Sequence, residues 1–154
     1  VIQQIGTPAE IYSNPANTWV SSIVGSIGMN LIPVNVENGS YRINTNSHMI
    51  RVPGAYNELL APGKYHLGIR PEDVRILSGN VDEITDTMNA EVHLIEAFGF
   101  EKLVEIKLED QIIRSRVVSR TKIHTGDMIS IQFDPNKLRF FNQEGNLIRP
   151  NRRS

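Results

Sequence analysis

The sequence predicts a mostly β fold of small antiparallel barrels preceded by two short helices. From Leu31 onward, short segments alternate apolar and polar residues with the period of a β-strand, and turn residues separate them at short intervals. The first quarter of the chain shows helix-capping residues instead. With 154 residues, 40% of them hydrophobic, the chain suits one domain or two very small ones.

The two helices are predicted from their start and stop residues. Thr7 can cap the first helix, a proline suits its first position, and Glu10 can reach back to the cap amide. Asn14-Pro15 ends that helix, because the residue before a proline avoids helical backbone angles. The second helix is expected from about Ala16, with Gly25 as its C-terminal cap.

The strands follow from alternation and turn chemistry. Asn38-Gly39 lies between two alternating segments, which predicts a tight hairpin. In one later strand the buried face is expected to carry Ala90, Val92 and Leu94. The strand groups at 31–77 and 88–142 echo each other weakly, which indicates two similar small barrels.

Composition and motifs exclude several kinds of function. A net charge of −1 and 6% aromatic residues argue against a nucleic-acid binder. The absence of cysteine excludes disulfides and cysteine-rich zinc sites. Gly63-Lys64 lacks the upstream glycine and the following Ser or Thr of a phosphate-binding P-loop. We therefore predict no catalytic, cofactor-binding or metal-ligating residue, and no enzyme activity in this chain.

One motif with a charged side chain has two interpretations. Arg70, Pro71 and Glu72 place a cation beside a carboxylate at a rigid turn where a strand ends. The guanidinium can tie two strands together, since it donates in two directions at once. It could also form a pocket for a small oxyanion. The structural tie is the favoured interpretation.

Five segments resemble, in order, a region of ABC importer ATPases that follows the nucleotide-binding domain. They are Gly6–Gly25, Met29-Asn30, Gly68–Val74, Glu96–Gly99 and Phe140–Gly145. The Met-Asn pair is typical of the carbohydrate-uptake branch, which includes maltose, multiple-sugar and glycerol-phosphate importers. Polyamine and iron importer ATPases share much of this architecture and remain an alternative.

The resemblance implies a C-terminal regulatory domain of the TOBE or MOP type, an OB-like fold. A helical connector would occupy residues 1–26, two intertwined small barrels 27–150, and a tail 151–154. In the family this domain packs against its copy and holds two motor domains together. The candidate contacts with a second copy or a regulatory protein are Glu96, Gly99, Phe140, Phe141 and Gly145.

The resemblance also implies the remaining partners. They are the nucleotide-binding domain of the same chain, the transmembrane permease subunits and, in some members, a regulatory protein. ATP and magnesium belong to the nucleotide-binding domain, so no cofactor is expected in this segment. The expected location is the cytoplasm, at the inner face of the membrane. A small-oxyanion-binding barrel is the alternative function.

Overall fold

The computed structural model describes residues 1–43, 49–78 and 84–150. These residues form two compact units. Unit 1 comprises Val1–Ile69 and the segment from Leu138 onward, and unit 2 comprises Arg70–Lys137. The chain therefore leaves unit 1 once, builds unit 2, and returns to complete unit 1.

Two short helices open unit 1. Helix α1 spans Pro8–Ser13, and the predicted capping box is present: Thr7 Oγ1 accepts from the Glu10 amide at 3.3 Å, and Glu10 Oε2 accepts from the Thr7 amide at 2.8 Å. Helix α2 spans Thr18–Ile23. It begins two residues later than expected, because Asn17 is its N-cap and accepts from the backbone N–H of the third helical residue at 2.9 Å.

The strands of unit 1 form one six-stranded antiparallel sheet in the order β11-β10-β4-β1-β2-β3. Their bounds are β1 Asn30–Glu37, β2 Ser40–Arg42, β3 Ile50–Arg51, β4 Gly63–Ile69, β10 Arg139–Phe141 and β11 Leu147–Ile148. The predicted hairpin joins β1 to β2. Both of its turn residues, Asn38 and Gly39, have positive φ angles, of 50° and 73°, as a tight hairpin turn of this type requires.

One face of this sheet forms the core of unit 1. Leu67 in β4 pairs with Ile32 on one side and with Phe140 on the other, and all three side chains are fully buried. The rings of Tyr41 and Tyr56 pack edge-on against Phe140, with centroids 5.9 Å and 4.9 Å away. Edge-to-face packing adds stabilisation beyond the buried area.

Part of the opposite face of the same sheet is covered by the helical segment. The Thr18 amide donates to the Gly145 carbonyl at 2.9 Å, and the Leu147 amide donates to the Ala16 carbonyl at 3.0 Å. Met29, after α2, packs so closely over Gly68 that a Cβ there would lie 2.5 Å from its sulfur. Residues 1–26 thus belong to unit 1, and the connector boundary between residues 26 and 27 remains a prediction.

Unit 2 is a five-stranded antiparallel sheet in the order β5-β9-β6-β7-β8. The bounds are β5 Val74–Leu77, β6 Met88–Phe98, β7 Glu101–Leu108, β8 Gln111–Val118 and β9 Met128–Phe133. The sheet curls so far that its two edge strands meet. Ser115 Oγ in β8 donates to the Val74 carbonyl in β5 at 2.8 Å. The core consists of fully buried residues such as Val92, Ile106 and Ile131. The mostly β class with two short N-terminal helices is confirmed.

The two units do not coincide with the strand groups that echo each other in the sequence. Strand β5 belongs by sequence to the first group, yet it pairs with β9 in unit 2. Strand β10 belongs to the second group, yet it pairs with β4 in unit 1. Each unit therefore contains a strand from the other half of the chain.

Gly68→Ala should lower the free energy of unfolding by about 1–3 kcal/mol, because the new methyl group overpacks the layer between sheet and helices. Its Cβ would lie 2.5 Å from the Met29 sulfur and 2.7 Å from the buried Phe141 ring. Gly54→Ala is the matched control, since no atom lies within 4 Å of a Cβ there. Urea unfolding measures both, and equal stabilities would contradict the close packing at Gly68.

Stability should also fall at alkaline pH because of Tyr56. Burial raises the pKa of this hydroxyl above its ordinary value of 10.0, against the opposing effect of Arg139. The unfolded state therefore loses the proton first, and stability that is complete below about pH 10 is lost as the pH rises further. Thermal unfolding of wild type and Tyr56→Phe between neutral and alkaline pH tests this. An equally steep alkaline loss in the variant would exclude Tyr56 as a cause.

Candidate interaction surfaces

The Arg70-Pro71-Glu72 turn lies where the chain passes from β4 to β5. Pro71–Asp73 forms a single 3₁₀ turn, and the Asp73 amide donates to the Arg70 carbonyl at 3.0 Å. Arg70 is only 3% exposed, so its side chain offers almost no surface to an anion in solvent. This burial agrees with a structural role. The pairing of Arg70 with Glu72 remains a prediction.

Three of the five candidate contact residues are buried in unit 1. Phe140 and Phe141 are fully buried. Gly145 is buried against the α2 segment, with Thr18 Oγ1 2.7 Å from the position of a Cβ. Strand pairing with β4 and the contact with the α2 segment leave them little exposed surface, and their role as contacts stays a prediction.

The other two candidates, Glu96 and Gly99, lie exposed in unit 2. Glu96 is in β6, and Gly99 lies in the turn from β6 to β7 with a φ of 58°. A non-glycine residue adopts that backbone region only with strain, so the glycine permits this tight turn. Both residues lie beside a surface that sequence reasoning did not identify.

That surface is the outer face of unit 2, defined here as the side of β6, β7 and β8 opposite to the core. Directly paired residues share a face of a sheet. Three rows cross these strands: Phe98–Glu101–Val118, then Glu96–Leu103–Arg116, then Leu94–Glu105–Arg114. Each row thus contains an apolar residue and a carboxylate.

Large apolar side chains are exposed on this outer face. Leu94 is 44% exposed, Phe98 58% and Val118 51%. Ion pairs lie beside them: Arg116 Nε is 3.4 Å from Glu101 Oε2, and Arg114 Nε is 3.8 Å from Glu105 Oε1. Exposed apolar side chains bordered by charged groups are typical of a surface that binds another protein.

Leu94 was expected inside, together with Ala90 and Val92, and that expectation is wrong. The register between β6 and β7 shifts between Val92 and Leu94. Such a β-bulge inserts one extra residue and reverses which side chains face the core beyond it. Leu94 therefore turns to the outer face while Ile95, which pairs with buried Val104, turns inward. Phe98 has the same parity as Leu94, so the alternation along β6 gave no signal of this bulge.

The predicted tail, residues 151–154, lies outside the described residues. In the described residues, both α-helices have six residues, and none of the helices meets the length and apolarity that a bilayer span requires.

Comparison with known proteins identifies a domain within the chain. Residues 67–141 match the family described as the TOBE domain. The matched segment runs from the last residues of β4 through unit 2 to β10.

Longer proteins align with nearly the whole chain. It is 30% identical over 151 residues to the sn-glycerol-3-phosphate import ATP-binding protein UgpC of Psychromonas ingrahamii, covering 93% of this chain and 38% of that protein. It is 31% identical over 149 residues to the oligosaccharides import ATP-binding protein MsmX of Bacillus subtilis, covering 93% and 40%. The chain therefore spans about two fifths of the length of these relatives.

A solved structure shares the fold. The cytoplasmic molybdate-binding protein ModG, crystallised with molybdate bound, superposes with a TM-score of 0.55 over 72% of this chain and 94% of that one. The sequence identity is 13%, so the likeness shows the fold alone. Residues 67–141 thus match the TOBE domain, and nearly the whole chain is similar to part of the ATP-binding proteins of sugar, oligosaccharide and glycerol-phosphate importers.

Proposed function

We propose that this chain is the non-catalytic regulatory and dimerisation domain of the ATP-binding subunit of an ABC importer for a sugar or sugar derivative. In this role it binds a second copy of itself, while the nucleotide-binding domain of the whole protein hydrolyses ATP. The observation that carries the proposal is the outer face of unit 2, where large apolar side chains are exposed beside cross-strand ion pairs.

The chemistry of the outer face suits a protein partner with the same surface. Phe98 and Leu94 supply apolar area that is removed from water on association. The carboxylates and guanidiniums on the same rows can pair across the interface as well as within one copy. In a two-fold dimer one patch faces its own copy, so a mixed apolar and charged patch can be self-complementary. Glu96 and Gly99 stay in this proposal as contacts at the same face.

Association through this face would keep the two nucleotide-binding domains together without taking part in ATP hydrolysis. Two nucleotide-binding domains that are held by paired regulatory domains meet at a high effective concentration. They can then open and close during each ATP cycle without separating. The permease subunits and a regulatory protein are the further expected partners, and the expected location is the cytoplasmic side of the membrane that contains the permease.

The exposed side of α2 supports an interaction with the nucleotide-binding domain of the same protein. Trp19 and Ile23 are 59% and 57% exposed and lie four residues apart, on one side of the helix. The relatives are more than twice as long as this chain, which leaves ample sequence for such a domain. The relatives' names favour sugar or glycerol-phosphate cargo over polyamine or iron, and the small-oxyanion alternative at Arg70 loses support because that side chain is buried.

The chain should bind no ATP, since its only Gly-Lys pair lacks the surrounding residues of a P-loop. Titration calorimetry with magnesium and ATP, together with a phosphate-release assay, measures this. Phosphate release by the purified chain, with or without saturable heat, would contradict the non-catalytic assignment.

Self-association should depend on Phe98. The Phe98→Glu variant replaces an exposed apolar side chain of the proposed interface by a charge, and we expect the dimer dissociation constant to rise by about tenfold or more. Sedimentation equilibrium or light scattering over a concentration series measures that constant. Ile23→Glu is the matched control, because it also changes a half-exposed apolar residue to an acid, but on α2.

The control variant should associate like wild type. A wild-type chain that remains monomeric at high concentration would overturn the dimerisation proposal. Equal dissociation constants for wild type and Phe98→Glu would instead show that the dimer interface does not include the outer face. Circular dichroism of each variant separates loss of association from loss of folding.

A further inference from the structure

Unit 2 contains an open cavity of about 780 Å³ that the self-association proposal does not use. Its walls come from the end of β5, the end of β8 with the loop that follows, and the start of β9. This volume lies within the range of roughly 300–1,000 Å³ that small-molecule sites occupy. The cavity is formed by residues of unit 2 alone.

Two cations line this cavity, on the loop after β8. Arg120 and Lys122 form no ion pair with any described carboxylate, whereas Arg75, Arg114 and Arg116 of the same unit each have an acidic partner. In a chain of net charge −1, two adjacent cations without a described acidic neighbour are a local positive region. Such a region attracts anions.

The carboxylate that lines this cavity already accepts a hydrogen bond within the same loop. Asp127 lines the wall, and its Oδ2 accepts from the His124 amide at 2.8 Å and lies 3.7 Å from His124 Nδ1. A third cation lies close to the loop, since Lys102 Nζ donates to the Thr121 carbonyl at 3.0 Å. Among the described residues, three cations and one carboxylate therefore lie at this loop.

The loop that carries the two cations is held at several points. The Ser119 amide donates to the Phe100 carbonyl at 2.8 Å, and the Thr121 amide donates to the Val118 carbonyl at 3.0 Å. Ile123, which follows the cations, is 8% exposed and anchors the loop in the core. A backbone fixed in this way lowers the entropy that must be lost when the side chains bind a ligand.

The rest of the wall indicates what kind of anion fits. Ile76, Leu77 and Met128 supply apolar surface, and Ser78 and Thr121 supply hydroxyl groups that can donate or accept. A bare oxyanion would contact the cations and leave the apolar part of the cavity in water. A phosphate ester of a small organic molecule uses both parts, with its phosphate on Arg120 and Lys122 and its carbon skeleton on the apolar wall.

We infer that the cavity of unit 2 binds a small organic phosphate through Arg120 and Lys122. A ligand at this position could report the level of a phosphorylated metabolite to the domain. The inference does not depend on self-association, because all the described lining residues belong to one copy of unit 2.

Titration calorimetry at low salt tests it with the whole chain and three probes: glycerol 3-phosphate, inorganic phosphate and glycerol. We expect binding in the order in which they are named, with none for glycerol. Arg120→Gln and Lys122→Gln should each weaken glycerol 3-phosphate binding by about tenfold, as loss of one charge-assisted hydrogen bond does. Added salt should weaken it as well.

The matched control is the double variant Lys64→Gln/Lys137→Gln, which removes the same charge as Arg120→Gln/Lys122→Gln at exposed lysines that do not line the cavity. It should bind like wild type. Equal losses in both double variants would show a response to net charge only and would overturn the site, as would no heat with glycerol 3-phosphate at millimolar concentration. Equal affinities for phosphate and its ester would overturn the organic part of the inference. Light scattering of the same samples reports self-association separately, so failure of one proposal is distinguishable from failure of the other.

Discussion

The pairing of β4 with β10 is the contact on which the rest of the structure depends. It joins Leu67 to Phe140 and Gly68 to Arg139, although everything in unit 2 lies between these strands in the sequence. The pairing completes the core of unit 1, and it requires the two ends of unit 2 to lie close together. A long loop closure of this kind costs conformational entropy, which a folded unit 2 with adjacent ends reduces. Burial of Leu67 and Phe140 then supplies the compensating hydrophobic free energy.

The two sheets use their faces differently, and this difference assigns them different roles. In unit 1 one face carries the core, and part of the other is covered by the α2 segment and Met29. In unit 2 only one face is covered, and Leu94 and Phe98 stay on the open one. An antiparallel sheet tolerates one solvated face, so the fold of unit 2 does not need a partner there. The apolar side chains on that face are therefore better explained by association than by folding.

The outer face and the cavity of unit 2 differ in whether their cations have acidic partners. On the outer face Arg114 and Arg116 have cross-strand acidic partners, so that face is close to neutral and suits a protein partner. At the cavity Arg120 and Lys122 lack such partners among the described residues, so this region suits an anion. Both arrangements come from neighbouring parts of one strand and the loop that follows it. A single barrel can thus carry two sites that respond to different ligands.

The sequence by itself determined the features that depend on near neighbours. The Thr7 and Glu10 capping box, the Asn38-Gly39 hairpin and the alternation of the strands were all predictable, because each involves residues a few positions apart. The order of the family motifs along the chain also indicated a relative of the importer ATPases. Of the candidate contacts, Glu96 and Gly99 lie on exposed surface, whereas Phe140, Phe141 and Gly145 do not.

Only the tertiary structure decided which strands pair and which side chains face outward. Strands β5 and β10 pair with strands that lie far away in the sequence. The alternation of apolar and polar residues within a strand does not indicate which other strand it pairs with. The bulge that turns Leu94 outward depends on the register with β7, so the period of two in β6 could not show it. The cavity beside Arg120 exists because the curled sheet brings β5, β8 and β9 to one place. These features decide function here, since they determine which residues a partner or ligand can reach.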